Sequence, residues 1–226
     1  MALIVVRNIT KTYSIGGLSL DAVKGASLSI ERGDFVSIVG HSGSGKTTLL
    51  SLIGGITNPS SGEILFENTN IASLDTDRLS EYRSAKVGFM FQFASLLPML
   101  TVKENLLLPT VFTVSGAPRE LAGEKAAELI GKVGLADKID AYPAQLSGGQ
   151  QRRVAIARAF MNGPLLILAD EPTGDLDEDT ERDMLNFFRS MNTEAGTTFI
   201  MVTHNSDLAK QANRRFRMNQ GMISEE

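Results

Sequence analysis

Apolar positions in this chain form short runs that alternate with stretches of helical period. Residues 3–9, 27–31, 35–39, 62–66, 87–91, 165–169 and 198–202 read as strands. The runs 35–39, 165–169 and 198–202 are almost continuously apolar, which suits parallel strands covered on both faces. The first strands alternate and lie close together, so they are expected to pair antiparallel. From about residue 100 to 160 the period becomes helical. Thr101-Val-Lys-Glu104 predicts a capping box, in which the Thr hydroxyl serves a backbone amide and the Glu reaches back. Pro118 is placed to open the next helix. Ala122, Ala126, Leu129, Ile130 and Val133 follow at helical spacing, and Gly134 is suited to end the element. The pattern predicts one domain of 226 residues, with an α/β core (1–92 and 160–226) divided by a helical insert (about 93–159).

Composition narrows the function classes. Hydrophobic residues make up 42% and charged residues 21%, as in a globular chain. The formal net charge of −4 argues against a general grip on nucleic acid, which needs a basic face. The chain has no cysteine, which removes disulfides, iron–sulfur clusters and cysteine-ligated zinc and fits the cytosol. Met1-Ala-Leu-Ile-Val-Val-Arg7 lacks a basic leader and its apolar run is short for a signal peptide. No run approaches the roughly 18 apolar residues of a spanning helix. The uncharged stretch 105–118 is cut by Pro109. If the protein works at a membrane, something else is expected to hold it there.

The first candidate chemistry follows the strand 35–39. Gly40, His41, Ser42, Gly43, Ser44, Gly45, Lys46 and Thr47 make a glycine-rich turn, and Thr48 continues into a helix. A phosphate loop needs this strand–turn–helix context. Gly43 and Gly45 let backbone amides converge, and those amides with the helix dipole favour an anion. Lys46 supplies a point charge for the β and γ phosphates, and Thr47 a hydroxyl for Mg²⁺. The second feature ends the strand 165–169. Asp170 is placed to hold Mg²⁺ and Glu171 to orient or polarise an attacking water. Either feature alone could be an ordinary glycine turn or a solvated strand end; together they support each other.

The third feature, Leu146-Ser147-Gly148-Gly149-Gln150, precedes a helix expected over 151–161. Chance would produce that pentapeptide in on the order of one chain in a few thousand. With it, the chain resembles the ATP-binding cassette family over essentially its whole length. The resemblance implies a P-loop NTPase (RecA-like) core, an antiparallel β subdomain and an inserted α-helical signature subdomain. Gly40 to Thr48 match Walker A and residues 165–170 Walker B. Glu171 matches the catalytic glutamate and Ser147, Gly148, Gly149 and Gln150 the signature. Gln92 matches the Q-loop glutamine that senses Mg²⁺. Asp177 belongs to the D-loop, His204 matches the switch histidine at the γ-phosphate, and Tyr13 matches the aromatic residue that stacks on adenine. The signature is itself an anion site, with a hydroxyl, glycine amides and a helix N-terminus. In the family it closes on the γ-phosphate held by a second, head-to-tail copy.

The resemblance implies ATP and Mg²⁺ as ligands, ATP hydrolysis as the activity, and a homodimer as the working unit. Three positions depart from the commoner pattern: His41 where proline is frequent, Phe93 where a polar residue is usual, and Asp175 in the D-loop. A short extra loop (14–22) after Tyr13 and the segments 91–98, 100–105 and 108–109 look like the branch serving lipoprotein release and macrolide export. That branch implies an integral-membrane permease partner, often one that works by mechanotransmission rather than by carrying substrate through a pore, and a place on the inner face of the cell membrane. The segment 92–100 and the insert would receive a partner helix, with Phe93, Leu96 and Leu97 also packing the insert. A regulator of cell-wall hydrolases acting through a membrane partner shares the same ATPase branch and is the alternative. Arg152 and Arg153 read as a solvated helix face. Arg214, Arg215 and Arg217 read as flanking a late strand, and neither cluster as a nucleic-acid site.

Overall fold

The structure, a computed structural model, describes residues 2–113, 119–174 and 176–226. Pro118 and Asp175 lie outside the described residues. Two sheets carry the chain. The first is antiparallel, with strands β1 (Ala2–Ile15), β2 (Leu18–Glu31), β4 (Ser61–Phe66) and β5 (Thr69–Asn70) in the order β2-β1-β4-β5. The second contains β3 (Phe35–Val39), β6 (Val87–Met90), β7 (Leu166–Asp170), β8 (Thr198–Thr203), β9 (Arg214–Asn219) and β10 (Met222–Glu225). Its order is β10-β9-β3-β8-β7-β6, parallel except for β10.

The near-continuous apolar strands behave as their composition requires. Val36, Ile38, Leu166, Leu168, Ile200 and Val202 enter the core shared with the antiparallel sheet and helix α1 (Lys46–Ile53). Phe35, Ile167, Ala169, Phe199 and Met201 enter a second core on the opposite face. Successive residues of a strand point to opposite faces, so both faces must be covered. Following the short helix α2 (Thr76–Glu81), the second face is built from α3 (Val102–Leu107), α4 (Arg119–Lys132), α5 (Gly148–Ala159) and α6 (Glu178–Thr193). Its centre is aromatic: Phe35 and Phe199 lie 4.9 Å apart, and Phe160 meets Phe187 edge-on at 5.0 Å. Such pairs add to area burial by about 0.5–1.5 kcal/mol each.

Local chemistry sets the element ends. Thr101 caps α3 and Glu104 returns the bond, completing the expected box. Gly134 follows α4 with φ +71°, a conformation that favours glycine. Four expectations need correction. Residues 14–22 are not a loop. β1 and β2 run on as a hairpin whose two-residue turn, Gly16-Gly17, has φ of 58° and 83°, and two positive φ angles let so short a turn match the strand twist. Arg214, Arg215 and Arg217 lie within β9 rather than beside it; Arg214 pairs with Asp34 and Glu225, and Arg217 with Glu226. Arg152 is buried and Arg153 partly so, because α5 is enclosed by the helical layer and the sheet. Phe93 does not pack the insert: it is 76% exposed, whereas Leu96 joins the helical core.

Candidate active site

Strand register assembles the site. Val39 stands opposite Thr203, Asp170 opposite Val202, and Ala169 opposite Met90. The carboxyl ends of β3, β8, β7 and β6 therefore finish nearly level, and the chain leaves each of them beside the others. Ligands of open parallel sheets bind beyond such ends. Here they open on a cleft of about 660 Å³ lined by Tyr13, by Ser42 through Thr48, and by Gln92, Asp170, Glu171 and His204. Leu20, Asp21, Ala22, Lys24, Gln220 and Gly221 complete its walls. None of these six stands out in sequence, because each lines the cleft only through the β1–β2 hairpin or the β9–β10 turn.

The glycine-rich turn has the shape an anion cradle requires. Gly43 and Gly45 have φ of 76° and 106°. A Cβ at Gly45 would fall 2.2 Å from the Ala22 carbonyl oxygen, and one at Gly40 2.2 Å from that of Met218. Only glycine fits these positions. Helix α1 begins at Lys46, so its unpaired amides face the cleft. The Lys46 ammonium donates to the carbonyls of Gly40 and His41 at 2.7 and 3.0 Å. Gly40 and His41 do not themselves line the cleft. Ser44 Oγ is buried with no hydrogen-bond partner among the described residues, and a phosphate oxygen would satisfy it.

Thr47 Oγ1 and Asp170 Oδ2 are 2.7 Å apart. Burial raises the Asp170 carboxyl above its ordinary range, and the neighbouring Glu171 charge adds to the rise while the Thr47 hydroxyl opposes it. A hydroxyl and one carboxylate are hard oxygen donors that suit Mg²⁺, which completes its shell with water and phosphate oxygens. The donor set thus fits that ion.

Glu171 is held more tightly than a strand-end carboxylate needs to be. Its backbone is left-handed, φ 46°, and its amide donates to the Val202 carbonyl at 3.0 Å. Oε2 accepts from the Thr203 hydroxyl at 2.9 Å; Oε1 accepts from the His204 amide at 2.8 Å and meets the His204 ring Nδ1 at 2.7 Å. The His204 side chain remains 75% exposed, so its ring is free to leave the carboxylate. Tyr13 lies at the rim with the Lys11 ammonium 5.2 Å from its ring centre.

Two groups at this site escaped the sequence reading. Thr203 is fully buried, and the only signal was a polar residue closing an apolar strand. Arg152 donates to the carbonyls of Phe91, Gln92, Glu171 and Pro172. Its signal was the spacing Arg152, Ile156, Phe160, which places it on a stripe whose other members are buried.

The remaining predicted residues lie elsewhere. Ser147 is the exposed N-cap of α5; its hydroxyl accepts from the Gln150 backbone amide at 3.2 Å, and its own amide donates to the Gln150 side-chain Oε1 at 2.9 Å. Ser147, Gly148, Gly149 and Gln150 do not line the cleft. Asp177 caps α6, accepting from the Thr180 amide and hydroxyl, and those bonds hold its carboxyl below the usual range. Among the described residues no helix is long and apolar enough to cross a membrane.

Comparison with known proteins places this geometry. A family model described as "ABC transporter" matches residues 23–174. The chain is 43% identical over 218 residues to the macrolide export ATP-binding/permease protein MacB of Rhodopirellula baltica, covering 96% of this chain and 32% of that protein. The chain thus spans about a third of these longer relatives. It is 41% identical over 225 residues to the lipoprotein-releasing system ATP-binding protein LolD of Myxococcus xanthus, covering all of both. The dimeric post-hydrolysis structure of the ATP-binding cassette MJ0796 of Methanocaldococcus jannaschii, bound to ADP and Pi, superposes with a TM-score of 0.94 at 41% identity, over 99% of this chain and 97% of that one.

Proposed function

The chain belongs to the ABC transporter family as an ATP-binding ATPase, and on that premise we propose that it powers a separate membrane permease as an ATP-sandwiched homodimer. The permease is of the lipoprotein-release, macrolide- and peptide-export or mechanotransmission type, and the chain sits on the inner face of the membrane through it. One observation carries the reading. The chain has two glycine-rich helix N-termini of the kind that suits an anion, and the one capped by Ser147 lies outside its own cleft. A second copy, turned head to tail, supplies what each cleft lacks. The dimeric cassette bound to ADP and Pi, so similar in fold, supports that arrangement.

In this reading Tyr13 stacks on adenine, and the backbone amides of residues 42–48 hold the phosphates. Lys46 leaves the Gly40 and His41 carbonyls for the β and γ phosphates. Thr47, Asp170 and Gln92 would hold Mg²⁺, which supplies charge neutralisation on the phosphate oxygens. Glu171 orients and polarises a water for in-line attack on the γ-phosphorus. His204, on the exposed side of that carboxylate, turns to the γ-phosphate and frees Oε1 to accept from the water. Ser147, Gly149 and Gln150 of the partner copy close on the same phosphate, with Asp177 at the seam. Hydrolysis removes the group both copies hold, and the dimer opens. The helical layer (about 93–159) then moves with the permease.

The groove beside that layer supports the partner assignment. Phe91, Phe112 and Ile56 line it and are 47%, 61% and 50% exposed. An exposed apolar surface of this kind marks a protein contact. The test is gentle solubilisation of membranes holding tagged Glu171→Gln protein with ATP, followed by identification of what co-purifies. A multi-span membrane protein in fixed ratio is expected. Recovery of soluble partners alone would overturn the permease assignment.

A further inference from the structure

We propose that Arg152 is a positioning residue that fixes the backbone of Glu171, and with it the angle at which the carboxylate meets the attacking water. The proposal rests on the reading of Glu171 as the group that orients that water.

Arg152 rises from the first turns of α5, far in sequence from both segments it binds. Its side chain is buried, with 4% exposure. Nε donates to the Pro172 carbonyl at 2.9 Å, and Nη2 to the Glu171 carbonyl. Nη1 donates to the Phe91 carbonyl at 3.0 Å and also to that of Gln92. All three nitrogens of one planar group are thus engaged, and they bridge two loops. One follows β7 and carries Glu171; the other follows β6 and carries Gln92. A buried guanidinium is costly to desolvate and is kept where several acceptors meet it.

What it holds is a strained position. Glu171 has φ 46°, in a region where a residue with a side chain sits only when its surroundings over-determine it. The bond from the Glu171 amide to Val202 fixes one side of the residue and the bond from Arg152 to its carbonyl fixes the other. Thr203 and His204 then fix the carboxylate itself. Without Arg152 the Pro172 carbonyl loses this donor and the Glu171 carbonyl keeps the Gly174 amide at 3.3 Å, so the turn is freer to relax toward negative φ. That rotation would swing the carboxylate away from Thr203. The phosphate loop follows another strand, β3, and the four carbonyls that Arg152 takes lie outside it, so nucleotide binding should be largely spared. A second arginine of the same helix, Arg158, takes the Ala94 and Ser95 carbonyls at 3.0 Å each, so the Gln92 loop is secured at both ends.

Lysine cannot replace this fork, because an ammonium is a single point on a flexible stem and reaches one loop at a time. Steady-state ATPase assays and ADP titrations of Arg152→Gln and Arg152→Lys, alongside Glu171→Gln, test the proposal. Both Arg152 variants should lose kcat by about 30-fold or more while ADP affinity stays within about 3-fold. If the Gln variant does not fold, the Lys variant decides alone. Unchanged kcat in a folded variant, or kcat and ADP affinity falling together, would overturn the assignment. Active Glu171→Gln would instead remove the reading on which it depends. An inactive Glu171→Gln beside fully active Arg152 variants would overturn only the role of Arg152.

Discussion

Replacing Thr203 with valine removes one hydroxyl from a fully buried position and leaves the shape of the side chain almost unchanged. That hydroxyl donates to Glu171 Oε2 at 2.9 Å and accepts from the Asn205 amide at 3.0 Å. Glu171 would keep only the contacts on Oε1, from the His204 amide and ring. A hydrogen bond to a charged group contributes about 1.5–3 kcal/mol. If that energy serves orientation of the carboxylate, its loss lowers kcat by about 10- to 100-fold, at one decade per 1.4 kcal/mol. The KM for ATP should stay within about 3-fold, because Thr203 does not line the cleft. Thr203→Ser restores the hydroxyl and gives up one buried methyl, at about 0.8 kcal/mol of stability. It should recover most of kcat while melting slightly lower. A coupled-enzyme ATPase assay gives both constants, and a thermal melt shows that each variant is folded. A folded valine variant with wild-type kcat would refute the reasoning. So would a serine variant as impaired as the valine.

Two further substitutions probe the phosphate loop and the acidic strand end. Gly45→Ala forces a Cβ to within 2.2 Å of the Ala22 carbonyl oxygen at φ 106°, so ADP affinity should fall by at least about 100-fold, read by titration against the wild type. Asp170→Asn should raise the melting temperature of the nucleotide-free protein at neutral pH while abolishing hydrolysis. Burial raises the Asp170 carboxyl above 3.8, so its favourable contribution is present below that value and lost as pH rises through the folded-state range. The gain from asparagine should therefore shrink as the melts are repeated toward pH 4, and a gain that grows on acidification would contradict the assigned cause.

Most of the architecture was legible because its signals are local. Apolar runs with no polar alternation marked β3, β7 and β8 as strands buried on both faces. The box at Thr101 and Glu104 is written in four consecutive residues. The core of the site was legible for the same reason: the phosphate loop, Asp170-Glu171 and His204 each sit where an apolar strand ends. What escaped depends on contacts distant in sequence. A late strand was read, but β9 was not placed on Arg214, Arg215 and Arg217 because arginines interrupt its apolar alternation, and Arg214 and Arg217 are neutralised by Asp34, Glu225 and Glu226. The Gly16-Gly17 turn looked like a loop because only its φ angles reveal the hairpin. Arg152 looked solvated because its four carbonyl partners lie on loops 60 and 19 residues away.

The claim that two copies share each nucleotide is tested most directly by sedimentation velocity of Glu171→Gln with and without ATP, at nucleotide shown by titration to be saturating. Slowed hydrolysis should trap a dimer with ATP but not with ADP, and adding Ser147→Arg, on the exposed cap of α5, should return it to monomer while ATP still binds. A Glu171→Gln protein that remains monomeric when saturated with ATP would contradict the account.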